Sequence, residues 1–272
     1  MPRTAFFISG RTAITSEVLG HSLLSQFDHI NFRHITLPYV DSVEKAREAV
    51  VQIRAQGVAD GCRPLVFSTV VEESVRKELY IDEALVLDFF QTYVSPLEQE
   101  LGIRSSHTSG KVHGIANLEQ YQHRINAINF SMRNDDGSMQ STLHDADVIL
   151  IGVSRCGKTP TCLYLALHYG IKAANFPLTP DDFAERALPR DLLPYQNKLF
   201  GLTIDPERLS RIRHERKSNS QYASVESCRK EVAEAERMMV RHGITPLNTT
   251  TLSIEELATT ILQLGGLKRR IF

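Results

Sequence analysis

Net charge is almost absent from this 272-residue chain, in which 31 Lys and Arg stand against 32 Asp and Glu. Taken whole, that balance lacks both the basic signature of a nucleic-acid binder and the acidic excess of a solvated tail. Cysteine is scarce: Cys62, Cys156, Cys162 and Cys228 are scattered, with no C-x-x-C pair. Such thiols exclude a disulfide framework and suit a reducing cytosol. Long apolar runs are missing, since nothing approaches the roughly 18 residues of a membrane span. The opening Met-Pro-Arg-Thr-Ala-Phe-Phe-Ile-Ser has only a short apolar run and no small-residue cleavage site, unlike a secretion signal. A cytoplasmic protein without membrane contact is expected. Internal repeats and low-complexity tracts are also lacking.

What is present is ordinary globular composition, 42% hydrophobic and 23% charged, over a length that suits two domains. The balanced charge is divided along the chain. Residues 1–147 carry 13 basic and 19 acidic side chains, whereas residues 148–272 carry 18 and 13. The acidic first part is a poor candidate for nucleic acid and a candidate protein-facing surface.

Short apolar runs alternate with helix-period segments throughout. Strands are expected at Ala5–Ser9, Phe32–Val40 and Leu65–Val71, with a fourth at Ala84–Phe90. Helices are expected at Ser16–Phe27, Val43–Gln56 (stopping at Gly57), Glu72–Leu79 and Pro96–Leu101. Residues 103–114, rich in Ser, His, Thr and Gly, read as a linker or functional loop. A helix over 117–133 then ends in the turn Asn134-Asp-Asp-Gly137. The alternation resumes with strands at Asp147–Val153, Ile171–Pro177 and Leu199–Ile204 and a helix at Pro160–Tyr169. Asp205-Pro206 opens a further helix, and Ser253-Ile-Glu-Glu256 is a capping-box signature for a last helix that stops at Gly265. The pattern predicts a two-domain α/β protein: an N-terminal parallel-sheet domain with a helical connector over residues 1–145, then a P-loop kinase-like α/β domain over 146–272.

Chemistry concentrates in Gly152-Val153-Ser154-Arg155-Cys156-Gly157-Lys158-Thr159, which fits G-x-x-x-x-G-K-[ST]. A buried-type strand runs into it and a helix leaves it. In that context the glycines let backbone N–H groups form a nest for phosphate oxygens, and the helix presents its positive end to them. Lys158 can reach the terminal phosphate, and the Thr159 hydroxyl is a candidate Mg²⁺ ligand. Downstream lie Arg208, Arg211, Arg213, Arg216 and Lys217. They suit the charge neutralisation of phosphoryl transfer, or equally a solvated basic helix interleaved with Glu207 and Glu215. A nucleic-acid patch would want an aromatic platform, and Tyr222 is the only ring nearby.

Several single residues remain open between function and structure. Asp205 is a metal-orienting carboxylate or, favoured by Pro206, a helix cap. Asp135 and Asp136 bind a cation or merely make a turn. His113, beside Lys111 and Gly114, is a base or a plain loop residue. Ser9-Gly-Arg-Thr12 sits where parallel sheets bind ligands, so Thr12 and Thr15 contact phosphate or cap a helix. Cys156, near a helix N-terminus, is a candidate for an acidified thiol, though without a base or metal partner.

The runs VILIGVSRCGKTPTCLYLALHYGIKAANFPL (148–178), KLFGLTIDPERLSRIR (198–213) and NSQYASVESCRKEV (219–232) resemble the bacterial phosphoenolpyruvate synthase regulatory proteins. These are related to the pyruvate, phosphate dikinase regulatory proteins. The likeness extends through residues 14–27, 35–40, 63–71 and 124–137, and so covers nearly the whole chain. It implies a bifunctional enzyme that uses ADP to phosphorylate a threonine of the dikinase and inactivate it. The same enzyme removes that phosphate with inorganic phosphate as acceptor, releasing pyrophosphate. The resemblance implies ADP as substrate nucleotide, Mg²⁺, inorganic phosphate as co-substrate and phosphoenolpyruvate synthase as partner. A homodimer would suit a regulator of a symmetric enzyme. Lys158, Thr159, Asp136, Asp205, Arg208 and Arg211 are the expected catalytic residues, with Gly152 through Thr159 holding the nucleotide. Two departures stand out. The family's turn after the first strand reads close to I-S-D-G-T-A-I-T, where this chain has Ile8-Ser9-Gly10-Arg11-Thr12-Ala13-Ile14-Thr15; and Asn134 replaces a histidine. From the motif alone, a small-molecule P-loop kinase and a non-enzymatic ADP sensor are the competing readings.

Overall fold

The computed structural model describes residues 2–106, 118–135, 140–185, 187–216 and 221–270. It divides into two compact units, Met1–Gly114 and Ile115–Phe272. The sequence-based boundary at 145/146 therefore falls inside the second unit. The expected connector helix, here Leu118–Arg133, packs on the second unit's own elements.

In the first unit, β1 (Arg3–Ile8), β2 (Phe32–Leu37), β3 (Leu65–Ser68) and β4 (Leu85–Asp88) form one parallel sheet in the order β2-β1-β3-β4. Alternate residues of the strands face opposite ways. Phe6, Ile8 and Val66 bury against Ala46, Ala49 and Ile53 of α2 (Val43–Asp60) and Val75 and Leu79 of α3 (Glu73–Leu79). Ala5, Phe7, Leu65 and Phe67 bury on the other face with Leu24 of α1 (Ile14–Leu24). α1 sits close there because Gly20 has no side chain: a Cβ would lie 2.4 Å from the Phe7 ring. α2 runs through Gly57 and ends instead on Gly61, whose φ of 66° suits a glycine cap. The expected fourth strand is strand only over Leu85–Asp88 and turns helical at Phe89, because the Asp88 carboxylate accepts the Gln91 N–H and starts α4 (Phe89–Leu101).

The second unit repeats this strand order. β5 (Val148–Gly152), β6 (Ala173–Pro177), β7 (Leu199–Thr203) and β8 (Pro246–Asn248) form a parallel sheet in the order β6-β5-β7-β8. β5 is buried along its length, as a central strand covered on both faces must be. Around the sheet lie α5 (Leu118–Arg133), α6 (Lys158–Tyr169), α7 (Pro180–Glu185), α8 (Pro206–Arg216), α9 (Val225–Arg241) and α10 (Ile254–Leu264). The capping box of α10 forms as read: Ser253 Oγ accepts the Glu256 N–H, and Glu256 accepts the Ser253 N–H. Among the described residues no helix is long and apolar enough to cross a membrane.

Candidate functional site

In the second sheet the chain leaves β5 between neighbours reached from opposite directions, β6 on one side and β7 on the other. Open parallel sheets place ligands at this switch point, beyond the carboxyl ends of the strands. The glycine-rich loop from Gly152 to Thr159 occupies that place, joining β5 directly to α6. Three of its residues have positive φ: Gly152 at 154°, Arg155 at 75° and Gly157 at 94°. Arg155 holds a left-handed conformation that a non-glycine residue adopts only where its surroundings impose it.

Lys158 is 4% exposed, and its ammonium donates to the carbonyl oxygens of Gly152 (3.0 Å) and Val153 (2.8 Å). The side chain thus folds back along the loop that carries it. Cys156 is fully buried, and burial pushes its thiol above the ordinary range, with Lys158 opposing only in part. Desolvation outweighs the nearby positive charge, which suits a plain loop residue rather than an acidified thiol.

Thr159 has two polar neighbours. Its hydroxyl donates to Asp135 Oδ1 (2.8 Å), and the Asn175 amide donates to both Asp135 Oδ1 (2.5 Å) and Thr159 Oγ1 (3.0 Å). Asp135 arrives from the end of α5, which docks along the outer edge of β6. There Ser131 Oγ accepts the Ala173 N–H (3.3 Å) and the Asn134 carbonyl accepts the Asn175 N–H (2.9 Å). The Asn134 side chain ties the turn further, donating to the Phe130 carbonyl and accepting from the Thr142 hydroxyl. Asn134 is 2% exposed and acts as a tether for this turn. Asp136, Lys111, His113 and Lys217 lie outside the described residues.

Asp205 follows β7 and caps α8, its Oδ1 accepting the N–H groups of Glu207 (3.0 Å) and Arg208 (2.8 Å). Arg208 is exposed and donates to the Thr250 carbonyl (2.8 Å); Arg211 and Arg216 are exposed on the same helix. Arg213 differs from them. It is 1% exposed, forms a two-point ion pair with Glu231 (2.7 and 3.1 Å) and donates to the carbonyls of Tyr222 (3.0 Å) and Ser154 (3.2 Å). Its guanidinium also stacks on the Tyr222 ring, 3.9 Å from the centroid. The arginine-rich segment is therefore neither a uniform lid nor a uniformly solvated face. Sequence reasoning also passed over Thr249 and Thr250 after β8. Thr250 accepts the Asp205 N–H, and Thr249 approaches Gly157.

In the first unit, Ser9 Oγ accepts the Arg11 N–H (3.2 Å), and Thr12 and Thr15 are exposed. Neither threonine caps α1, whose N-cap position is Ala13 at φ 64° with no side-chain cap. Gly10 is not demanded by the turn. A Cβ there would meet only the Val40 carbonyl at 3.6 Å, an ordinary contact. Gly10→Asp should leave stability within about 0.5 kcal/mol, seen as an unchanged urea midpoint. A large drop would show that this turn needs glycine.

Comparison with known proteins places the chain in a family. A family model described as kinase/pyrophosphorylase matches residues 5–262. Proteins named "Putative phosphoenolpyruvate synthase regulatory protein" are similar over almost their full length. That of Bordetella parapertussis is 55% identical over 267 residues, 98% of this chain and 97% of the relative. That of Hahella chejuensis is 53% identical and that of Ectopseudomonas mendocina 51%, each over 271 residues and all of both chains. The α/β fold and this match define a phosphotransferase-type enzyme. The chain belongs to the kinase/pyrophosphorylase family.

Proposed function

We propose that this protein regulates a phosphoenolpyruvate synthase in both directions. It transfers a phosphoryl group from ADP to a threonine of the synthase, and it removes that phosphate with inorganic phosphate as acceptor. The observation that carries the reading is the glycine-rich loop at the β5 switch point, with Asp135 bonded to Thr159. The relatives' name supplies the partner.

The loop's backbone N–H groups and the start of α6 form a cradle for a diphosphate. Lys158 already sits against the Gly152 and Val153 carbonyls, so an incoming phosphoryl oxygen replaces a neutral acceptor with a charged one. The Thr159 hydroxyl and the Asp135 carboxylate are hard oxygen donors of the kind Mg²⁺ selects and fit that ion, while Asn175 turns its amide nitrogen toward both and holds them in place. When bound, Mg²⁺ neutralises charge on the phosphates. In the kinase direction the threonine hydroxyl oxygen attacks the β-phosphorus of ADP, the bond to the AMP oxygen breaks, and the hydroxyl proton leaves to a base. In the other direction a phosphate oxygen attacks the phosphothreonine phosphorus, the bond to the threonine oxygen breaks, and pyrophosphate leaves. Both are in-line transfers that need positioning and charge neutralisation more than covalent chemistry. One such loop occurs in the sequence, so both directions are assigned to it.

Incubation with phosphoenolpyruvate synthase, Mg²⁺ and ADP labelled on its β-phosphate should label a threonine of the synthase. Adding inorganic phosphate should then release the label as pyrophosphate. Label carried to a small metabolite would instead mark a small-molecule kinase, and ADP binding without transfer would mark a sensor. Asp135→Asn should raise the Mg²⁺ concentration for half-maximal transfer roughly tenfold, with metal-free ADP binding little changed. An unaltered Mg²⁺ titration would remove Asp135 from the cation's surroundings.

A further inference from the structure

We infer that Arg213 is a positioning residue for the glycine-rich loop, fixing one peptide so that its N–H faces the bound phosphate. The inference rests on the reading of that loop as a phosphate cradle. The peptide joining Ser154 to Arg155 is planar and trans, so its C=O and N–H point in opposite directions. Arg213 Nη2 donates to the Ser154 carbonyl (3.2 Å). The Arg155 N–H consequently points away from Arg213, and we assign that side of the peptide to the bound phosphate.

This orientation needs an outside hold, because Arg155 sits at φ 75° without being a glycine. Arg213 is built to supply that hold. Its planar fork is clamped by both carboxylate oxygens of Glu231 on α9, by the Tyr222 carbonyl and by the Tyr222 ring below. With its side chain wholly buried, it has no freedom to act as a mobile finger reaching substrate. α8, α9 and the Tyr222 turn are thus connected to the loop backbone through one guanidinium. A lysine has a single ammonium and cannot span the same acceptors in a plane.

The test uses the full chain, with pyrophosphate and Mg-ADP as probes and the Arg155 backbone amide as reporter. In the wild type, pyrophosphate should bind and move the Arg155 amide proton downfield in ¹H–¹⁵N spectra. Arg213→Met should weaken binding of both probes at least tenfold and abolish that shift, while the other amides of β5 keep their positions. Glu231→Gln, which keeps an acceptor but loosens the clamp, should give a smaller loss of the same kind and serves as the deciding variant should Arg213→Met not fold. Arg213→Lys should not restore the shift. Folded variants that bind pyrophosphate as tightly as the wild type and retain the shift would overturn the inference while leaving the phosphate cradle intact. A wild type that binds neither probe would overturn the cradle itself.

Discussion

Lys158→Ala should cut both proposed directions of transfer by on the order of 10³-fold, since it removes the one buried cation of the loop to which the phosphoryl group is assigned. The fold should survive. Lys158 bonds only to carbonyls and a thiol of its own loop, so its loss exposes no distant partner. The measurement is the rate of threonine labelling from ADP beside the rate of pyrophosphate release from the phosphorylated synthase. Loss of the first with full retention of the second would show that the two directions do not share this loop.

Gly152→Ala should be severely destabilising. A Cβ at Gly152 would lie 2.4 Å from the Leu202 carbonyl oxygen and 2.8 Å from Cys156 Sγ, and its φ of 154° is one that L residues rarely adopt. Leu202 belongs to β7, paired with β8 and buried in the core, so its backbone has nowhere to retreat. We expect a loss of about 3 kcal/mol or more, because backbone strain and overpacking add at one position. Urea unfolding with ADP binding at the same protein concentration reads it. A wild-type midpoint with wild-type affinity would mean that the loop shifts at little cost.

How legible the molecule was in its sequence depended on how local each signal was. The glycine-rich loop is written in eight consecutive residues, and the strand before it and helix after it appear where the pattern set them. Capping of α8 by Asp205 and of α10 by Ser253 is equally local. Asp135 is not. In Asn134-Asp-Asp-Gly nothing in the pattern says which carboxylate meets Thr159, because the choice is made by α5 docking on the edge of β6. The same docking moves α5 into the second unit, against the expected boundary. Arg213 was one arginine among several in sequence, and only the burial of its face of α8 separates it from Arg208 and Arg211. α9 is readable too, since Cys228, Val232, Ala235 and Met239 recur at helical spacing. β8, three residues opening on a proline, is too short for any periodicity to show.

The docking of α5 has a second consequence, for solubility. β6 is an edge strand, and such edges invite pairing with another chain. Its outward N–H groups are those of Ala173 and Asn175, taken by Ser131 and Asn134, while the next outward position is Pro177, which has none. The contacts that deliver Asp135 to Thr159 therefore also occupy the outward N–H groups of this edge. Loosening α5 would expose a sticky edge at the same moment that it dismantles the site, so aggregation and loss of activity should rise together along this seam.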